Sequence, residues 1–458
     1  MAYALLAKVL LVLFIVAFVA ERFELFAPAP LCCLGFSVSA FLAFLGTSSW
    51  NKVELGASAA GVVTVGCLSF CLASFVASRV VSSRHGEARS AEGTTSPSSA
   101  RLWKYAVVAV VVLIAIAVRV KETYELGAEL GGSYSSYWDL AEAVRRSTES
   151  FIGAGNTEIG EGFSPISRQF DKVVRAVGFV GTFLLARGLN RRIETRREII
   201  ADIAAPLAMV GLCSAYILLC GSRATILYMG ISGIVIWALM RLNRGSAALR
   251  DSLVMLGCCA IAAVIVAGVF YWTAGLLGRS YDSGAIDYIS FYYGGGIPSL
   301  QHLMDWAQET GAHVDGKTFY TFVSFLFKFG LAGDPGSSSI MWIQLGQYPS
   351  NIFTAFGGAY FDFGIIGVIA LGVVAGAFTT TVYRLARRTA SPYLTVLVGY
   401  LSGFVFDMAR CDFMFSKLIS VNQLLVIILM LLVLWFFEAP LSEMWRAARM
   451  RVRGGDKS

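Results

Sequence analysis

The feature that most constrains this chain is a series of apolar stretches, each close to the length needed to cross a lipid bilayer. A helix needs about 20 mostly apolar residues to span a hydrocarbon core that is about 30 Å thick. The clear candidates are windows 3–20, 31–49, 57–78, 199–219, 224–240, 253–277, 365–382, 393–408 and 419–437. Two shorter windows, 105–118 and 173–186, bring the prediction to about 11 spans, with a range of about 10–12. The pattern predicts an all-α polytopic membrane protein, with residues 1–458 forming one membrane domain.

Composition supports a surface that faces lipid. The chain is 57% hydrophobic and only 15% charged, whereas soluble domains carry about 25% charged residues. This excludes disordered, collagen-like and small disulfide-rich classes and argues against a soluble enzyme. The first window has no small-residue cleavage site after it, so we expect a retained span and not a signal peptide.

The charge pattern predicts an orientation. The chain has 37 Lys and Arg against 30 Asp and Glu, a net charge of +7, and the basic residues cluster in short segments between apolar stretches. Such clusters are typical of cytoplasmic loops, so we expect no nucleic-acid partner. If about 11 spans alternate, the clusters share one side, which places the C-terminus in the cytoplasm and the N-terminus outside.

Three segments between the windows stand out. Residues 82–100, rich in Gly, Ser, Thr and Pro, are predicted to form a flexible cytoplasmic linker. Residues 119–172 and 278–360 are predicted to be long extracytoplasmic loops, the second partly helical and rich in aromatic residues. Within it, the apolar stretch 319–331 is too short to span and predicts an interfacial or re-entrant helix.

The sequence motifs indicate chemistry without a metal or a cofactor. There is no GxxxxGK[ST], HExxH or GxSxG motif, and the three His residues are scattered. The nine Cys lie mostly in apolar stretches and form no CxxC pair, which indicates hydrophobic packing and not redox or metal chemistry. We therefore expect any reaction to use polar groups at the outer membrane face.

The first candidate residue is Arg223, which lies at a very short predicted outer turn between two strong spans. A guanidinium group there can bind phosphate oxygens with two parallel hydrogen bonds. The alternative is an arginine that only anchors the helix at the membrane interface.

The second candidate lies near the start of the large predicted loop, where Tyr292 and Tyr293 precede Gly294 and two further glycines. Glycines permit close backbone approach to a ligand, and tyrosine rings can stack on sugars. The alternative is a helix break with ordinary interfacial aromatics. Arg279 and His302 supply charge nearby.

The third candidate is the segment 349–367. Here Ser350 or Asn351 is predicted to cap a helix, and Asp362 enters an apolar span. A carboxylate at that position is costly unless it is paired. Arg410, at the outer end of a later span, is the predicted partner and a predicted second phosphate contact; a purely structural pair of the two is the alternative.

The order of these motifs resembles the oligosaccharide repeat-unit polymerases, the O-antigen polymerase family. The similarity is strongest from about residue 199 to residue 384, and its most specific part is the block Asn-x-x-Thr followed by Tyr-x-Asp-x-Gly-x-x-Gly. The resemblance implies a membrane glycosyltransferase on the outer face of the bacterial cytoplasmic membrane. It would transfer a growing glycan from its polyprenyl diphosphate carrier to a hydroxyl of the next lipid-linked repeat unit. The product would be O-antigen, capsule or exopolysaccharide.

The resemblance also implies roles for individual residues. The predicted catalytic residues are Asp362, His302 and Arg223. The predicted substrate-binding residues are Arg279, Tyr292, Tyr293, Gly294, Asn351, Tyr360 and Arg410. Arginines would hold the departing diphosphate, tyrosines would contact sugar, and a carboxylate or imidazole would deprotonate or orient the acceptor hydroxyl.

Two other readings stay open at this point. A ligase that attaches finished polymer to a final acceptor would share the large outer loop and the outer arginines. A flippase or transporter would carry more charge in mid-span and often internal repeats, whereas the polar groups here gather on one predicted side. Expected partners are donor and acceptor polyprenyl-linked oligosaccharides, membrane lipid, a flippase and a chain-length regulator.

Overall fold

The computed structural model describes residues 2–47, 54–83, 102–154, 162–191, 194–243, 253–257, 267–275, 284–336, 342–346, 348–412 and 414–439. These residues are helical apart from turns and one short β-hairpin. Within them, eight helices are long and apolar enough to cross a membrane. The chain is therefore a helical, multi-pass membrane protein.

The first five helices are α1 (Ala2–Ala20), α2 (Pro28–Gly46), α3 (Ala57–Ser83), α4 (Leu102–Glu129) and α5 (Tyr137–Ala154). Helix α1 leaves Leu5, Val12 and Val16 more than half exposed, as expected of a helix whose outer face contacts lipid. The weak window 105–118 lies in α4, which at 28 residues is long enough to span. The predicted linker 82–100 lies outside the described residues, except for its first two.

The central helices are α6 (Pro165–Leu189), α7 (Arg196–Ile199), α8 (Ala205–Leu219) and α9 (Arg223–Leu242). A single π-helical turn, Ile200–Ala204, joins α7 to α8 into one continuous helix. Helix α6 contains the weak window 173–186 and is not among the eight apolar helices, yet it packs against α4, α8, α9 and the last helix. Its residues 176–184 are buried without interruption, so the polar residues near its ends lower the mean hydropathy of a helix whose middle is interior.

The segment predicted as a large loop contains regular structure. Its helices are α10 (Ala285–Ile289), which continues as the π-helix Ser290–Gly294, α11 (Gly296–Thr310) and α12 (Tyr320–Phe327). A hairpin of β1 (Ile343–Leu345) and β2 (Tyr348–Ser350) follows, with Ile343 opposite Ser350 and Leu345 opposite Tyr348. Much of window 253–277 lies outside the described residues; 253–257 and 267–275 are helical.

The last three helices are α13 (Ala355–Thr389), α14 (Pro392–Asp407) and α15 (Val421–Glu438). Helix α13 is interrupted at Gly364, whose φ of 64° and ψ of −160° are outside helical values and are accessible mainly to glycine. The predicted window 365–382 thus begins at this kink. Helix α14 is apolar but shorter than the other candidate spans.

Glycines allow α3 and α13 to pack closely along their lengths. A Cβ atom at Gly372 would clash with the Ser69 side chain, and one at Gly376 would clash with the Phe70 carbonyl group. These two glycines are four residues apart, the spacing with which membrane helices bring their backbones together.

We predict that Gly376→Val destabilises the protein by about 1–3 kcal/mol, because the added side chain forces α3 and α13 apart. Thermal unfolding of the purified protein in detergent measures the effect. Gly61→Val, on α3, is the matched control, because no atom lies within 4 Å of the position that a Cβ atom would occupy there. Equal melting temperatures for the two variants would show that the close contact contributes nothing.

Charged side chains join distant parts of the chain at the end of α13. Arg384 forms ion pairs with Glu21 and Glu24 in the turn after α1, and Arg387 also pairs with Glu24. Separately, Lys104 of α4 is buried and donates hydrogen bonds to the carbonyl groups of Phe436, Phe437 and Ala439, at 2.8, 3.1 and 3.0 Å. A cation at the C-terminal end of a helix satisfies carbonyl groups that have no partner within the helix, so Lys104 fastens α4 to the end of α15.

Candidate functional site

A tight turn places Arg223 at the first residue of α9. Gly221 has a φ of 69°, a left-handed conformation that glycine adopts without strain. The turn is closed by hydrogen bonds from the Gly221 amide to the Leu218 carbonyl group and from the Ser222 amide to the Ile217 carbonyl group, at 2.8 and 3.1 Å. The chain therefore reverses direction within three residues, and the guanidinium group of Arg223 lies at the N-terminal end of α9.

The Arg223 side chain is buried, with 4% of its surface exposed, and its partners are neutral. It donates hydrogen bonds to the Phe270 carbonyl group at 3.0 Å and to the Tyr288 hydroxyl group at 2.6 Å. Its Cζ atom lies 4.2 Å from the ring centroid of Phe270 and 5.7 Å from those of Tyr288 and Tyr292.

No carboxylate among the described residues pairs with Arg223, and its Nε atom is buried without a hydrogen-bond partner there. A buried charge is costly unless a counter-charge or a full set of hydrogen bonds compensates it. The site therefore has a positive charge and an unused donor, which suits an anionic ligand.

The start of α9 adds to this preference. Ser222 is the N-cap residue, but its side chain accepts no hydrogen bond from the first turn; its Oγ atom lies 3.0 Å from Oγ1 of Thr225 instead. Amide groups at a helix start carry partial positive charge and favour anions. The helix start and the guanidinium group therefore favour the same ligand charge.

The second predicted arginine has a different environment. Arg410 is buried and forms two hydrogen bonds with Asp407, at 2.8 and 2.9 Å, and a third with the Tyr228 hydroxyl group at 3.0 Å. Tyr228 in turn donates to Asp407. The charge of Arg410 is therefore compensated, and the predicted ion pair between Arg410 and Asp362 is wrong.

Tyr292 lies between the two arginines. Its ring centroid is 5.7 Å from Cζ of Arg223 and 5.0 Å from Cζ of Arg410. Tyr288 precedes it by one helical turn, and the two rings are stacked with their centroids 6.4 Å apart. Cations favour the faces of aromatic rings, so this ring joins the two guanidinium groups into one cluster.

The glycines after Tyr293 pack against protein backbone. A Cβ atom at Gly294 would lie 2.5 Å from the Ala43 amide nitrogen, and one at Gly296 would lie 2.7 Å from the Arg410 carbonyl oxygen. The close approach that needs these glycines is therefore to α2 and to the segment after α14. Ligand contact at Gly294 and Tyr293 stays a prediction; the Tyr293 hydroxyl group is buried with no hydrogen-bond partner in the described part of the chain.

Asp362 holds a loop in place. Its two carboxylate oxygens accept hydrogen bonds from the amide groups of Gly316 and Thr318, at 2.7 and 2.9 Å. Gly316 lies so close to Gly358 that neither position has room for a Cβ atom without displacement. The carboxylate in this apolar helix is thus compensated by backbone donors, and its proposed role as a base stays a prediction.

The predicted helix cap before α13 is wrong. The helix begins at Ala355 after the N-cap residue Thr354, and the Ala355 amide donates to the Met408 carbonyl group at 2.7 Å. Ser350 lies instead in β2, with its Oγ atom 2.8 Å from that of Ser299. Asn351 is exposed after the strand.

The remaining predicted residues are not joined to this cluster. His302 is half-buried on α11 and makes no hydrogen bond within the described residues, and Tyr360 is half-buried with its ring beside Phe361. No hydrogen bond, ion pair or ring contact connects His302, Tyr360 or Asn351 to either arginine in the part of the chain that the structure describes. Arg279 lies outside the described residues.

Sequence reasoning missed four members of the site: Phe270, Tyr288, Tyr228 and Asp407. A signal existed for Asp407, because a carboxylate three residues before an arginine at the end of an apolar helix can pair with it locally. Tyr288 lies four residues before Tyr292, on the same helical face. For Phe270 and Tyr228 the sequence offers no comparable sign.

Asp412, in the connection between α14 and α15, has an unusual carboxyl group. Its Oδ1 atom accepts a hydrogen bond from the Phe415 amide at 2.9 Å, while Oδ2 is buried without a partner among the described residues. Burial raises the pKa of Asp412 to about 7, with a smaller contribution from the charge of Asp362, against the lowering effect of backbone hydrogen bonds.

We predict that Asp412 makes stability depend on pH. Its folded-state pKa lies above its unfolded value of about 3.9, so the folded protein binds a proton that the unfolded chain releases, and stability falls as pH rises from about 4 to about 7. Asp412→Asn should remove this part of the dependence and melt higher than wild type at pH 8. Melting temperatures of both proteins between pH 5 and pH 8.5 measure it; parallel profiles would contradict the prediction.

Comparisons with known proteins do not extend this description: no protein-family model matches the chain, and no curated protein or solved structure is similar to it. The fold defines the chain as a multi-pass helical membrane protein. Its function has to be argued from the site itself.

Proposed function

We propose that this protein is a membrane glycosyltransferase that polymerises polyprenyl-diphosphate-linked oligosaccharide repeat units into a bacterial surface polysaccharide. The observation that carries the proposal is the buried Arg223, which lies at a helix start and has no carboxylate partner among the described residues. The order of motifs that resembles the O-antigen polymerase family supports the choice of substrate.

A diphosphate group suits Arg223 because it supplies a counter-charge and a hydrogen-bond acceptor for the unpaired Nε atom. Its charge compensates the buried guanidinium group, and its oxygens accept hydrogen bonds from the guanidinium fork and from the amide groups at the start of α9. When a glycosidic bond to diphosphate breaks, negative charge increases on the departing group, so fixed cations and amide dipoles stabilise the transition state more than the ground state.

The aromatic residues have two roles in this proposal. Phe270, Tyr288 and Tyr292 hold the guanidinium group by cation–π contacts and exclude water from it. Tyr292 also offers a half-buried ring beside the diphosphate position, where a sugar can stack. Arg410, whose charge Asp407 compensates, positions Tyr292 through the contact between its guanidinium group and that ring and is not the main diphosphate ligand.

In the reaction, the acceptor hydroxyl oxygen forms a bond to the anomeric carbon of the donor glycan. The bond from that carbon to the diphosphate oxygen breaks, and the polyprenyl diphosphate leaves with the electron pair. The hydroxyl proton passes to a base. His302 is the better candidate of the two, because both oxygens of Asp362 accept backbone hydrogen bonds and His302 makes none in the described structure.

The proposal includes an orientation in the bacterial cytoplasmic membrane. Helix α9 begins at Arg223 and carries Arg241 in its last turn, and the last turn of α13 carries Arg387 and Arg388. Lys and Arg in short connections stay in the cytoplasm, so the Arg223 end of α9 faces outward. This topology has about 11 spans, with a cytoplasmic C-terminus and the active face outside.

The direct test incubates purified protein in liposomes with polyprenyl-diphosphate-linked repeat units extracted from the strain that encodes it, in the presence of EDTA and without ATP. We expect a ladder of products spaced by one repeat unit, with release of polyprenyl diphosphate. Transfer of preformed polymer to a terminal acceptor without a ladder would indicate a ligase. Movement of the lipid across the bilayer without a new glycosidic bond would indicate a flippase, and either result would reject the proposal.

A further inference from the structure

An apolar groove runs between α6, α8 and α9. Its cavity volume is about 380 Å³, within the range of about 300–1,000 Å³ that is usual for ligand sites. Side chains of all three helices line it, among them Leu185, Val210, Ile226 and Trp237, and the polar groups in its walls are few. The groove is open along one side, so part of its occupant can lie in the surrounding lipid.

The groove follows the same face of α9 that begins with Arg223. Its lining residues Ile226, Gly230, Gly233 and Trp237 lie three, seven, ten and fourteen positions after Arg223. Such intervals place residues on one side of a helix. From Arg223 to Trp237 the stripe extends about 21 Å at the helical rise per residue. Arg223 therefore lies one helical turn before the first α9 residue that lines the groove, on the same side of the helix.

Two glycines on this stripe open the groove. Gly230 is exposed, and no atom lies within 4 Å of the position that its Cβ would occupy; the nearest atom to that position at Gly233 is Cβ of Thr182, at 3.6 Å. Glycine within a helix costs about 1 kcal/mol relative to alanine. At Gly372 and Gly376 close helix packing offsets this cost. At Gly230 no atom occupies the space beside the Cβ position, and this space is part of the groove.

We propose that this groove binds the isoprenoid chain of a polyprenyl diphosphate lipid, with Arg223 at the position of the diphosphate. An occupant with an anionic head and one long hydrocarbon chain fits the charge of Arg223 and the apolar lining of the groove that follows it on α9. A phospholipid, which has two chains, is the alternative occupant that the test distinguishes. The inference rests on the proposed function, because it takes the lipid to be the carrier of the donor or the acceptor glycan. The groove holds the isoprene units nearest the diphosphate.

The test is photo-cross-linking of the purified protein with farnesyl diphosphate that carries a benzophenone group at the end of its chain. We expect labelled peptides from 182–189 and 226–237. The series Gly230→Ala, Gly230→Val and Gly230→Leu should reduce labelling progressively, at least tenfold for leucine, because each added carbon fills the groove. Arg223→Ala should also reduce labelling, and excess polyprenyl diphosphate should compete.

Gly61→Leu is the matched control, since this helical glycine also has open space around it but lies on α3, outside the groove. Melting temperatures identify any variant that is misfolded, and Gly230→Ala, which improves helix propensity, keeps the series interpretable. Unchanged labelling in folded Gly230→Leu would overturn the proposal. Equal competition by phosphatidylglycerol would also overturn it, by showing a phospholipid site.

The binding assay involves no turnover, so it separates the two proposals. Groove labelling that responds to Gly230 substitutions without any polymer ladder would leave the lipid site in place and reject the polymerase. A ladder from wild-type protein, together with labelling that Gly230 substitutions do not change, would support the polymerase and reject the groove as the lipid site.

Discussion

Arg223→Ala is expected to reduce polymer formation by about 100- to 1,000-fold, the usual effect of removing one preorganised donor to a developing negative charge. Arg223→Lys should retain the charge but lose the planar pair of donors, and its activity should lie between those of alanine and wild type. The measurement is the initial rate of ladder formation by purified protein at equal concentrations.

The same substitution is expected to leave stability nearly unchanged. Removing Arg223 loses two hydrogen bonds from a charged donor to neutral acceptors, each contributing about 1.5–3 kcal/mol, but it also removes the desolvation cost of a buried charge that has no carboxylate partner among the described residues. Melting temperature in detergent measures the balance. Arg168→Ala, an exposed arginine on α6, is the control for loss of one positive charge, and it should retain full activity.

A large loss of stability in Arg223→Ala would mean that the arginine serves the fold. Full polymerisation by a folded Arg223→Ala protein would remove the basis of the proposed function.

Unlike Arg223→Ala, single substitutions of Arg410 and Asp407 are expected to reduce stability strongly. Either single substitution, Arg410→Met or Asp407→Leu, should cost about 3–5 kcal/mol, because each removes one partner of a buried ion pair. The double variant should recover much of the loss, since it removes both charges and fills their space with apolar atoms. A double-mutant cycle in thermal unfolding gives the coupling energy between the two residues.

The folded double variant also tests the role of Arg410 in the site. If Arg410 only positions Tyr292, the double variant should keep measurable polymerisation with a raised KM. Additive losses of stability in the two single variants would contradict the buried pair. A folded double variant with no detectable rate would assign Arg410 to direct contact with the diphosphate.

The apolar helices were predictable because their signal is local. A run of about 20 apolar residues is costly anywhere but in lipid or a large core, and this holds regardless of the partner helices. Helix α6 shows the limit of that signal. Asp171, Lys172 and Arg175 reduce the apolarity of its first half, although residues 176–184 that follow are all buried.

Three members of the candidate site were predictable from the sequence, but their partners were not. Arg223, Tyr292 and Arg410 were selected for their residue types and positions, and the structure brings these three together. The partners of Arg223, Phe270 and Tyr288, lie 47 and 65 positions away in the chain. The carboxylate that meets Arg410 was less hidden, because Asp407 lies only three residues before it. The sequence did not show that Asp362 accepts hydrogen bonds from the backbone amides of Gly316 and Thr318 instead.

The bond between Lys104 and the end of α15 has a consequence for how the protein is made. Its acceptors lie more than 330 positions later in the chain, so a ribosome exposes the lysine long before the carbonyl groups exist. During that interval the N-terminal end of α4 carries an ammonium group without these three carbonyl ligands. The contact that joins α4 to α15 can therefore form only after α15 has been synthesised, so it is a late event in the assembly of the protein.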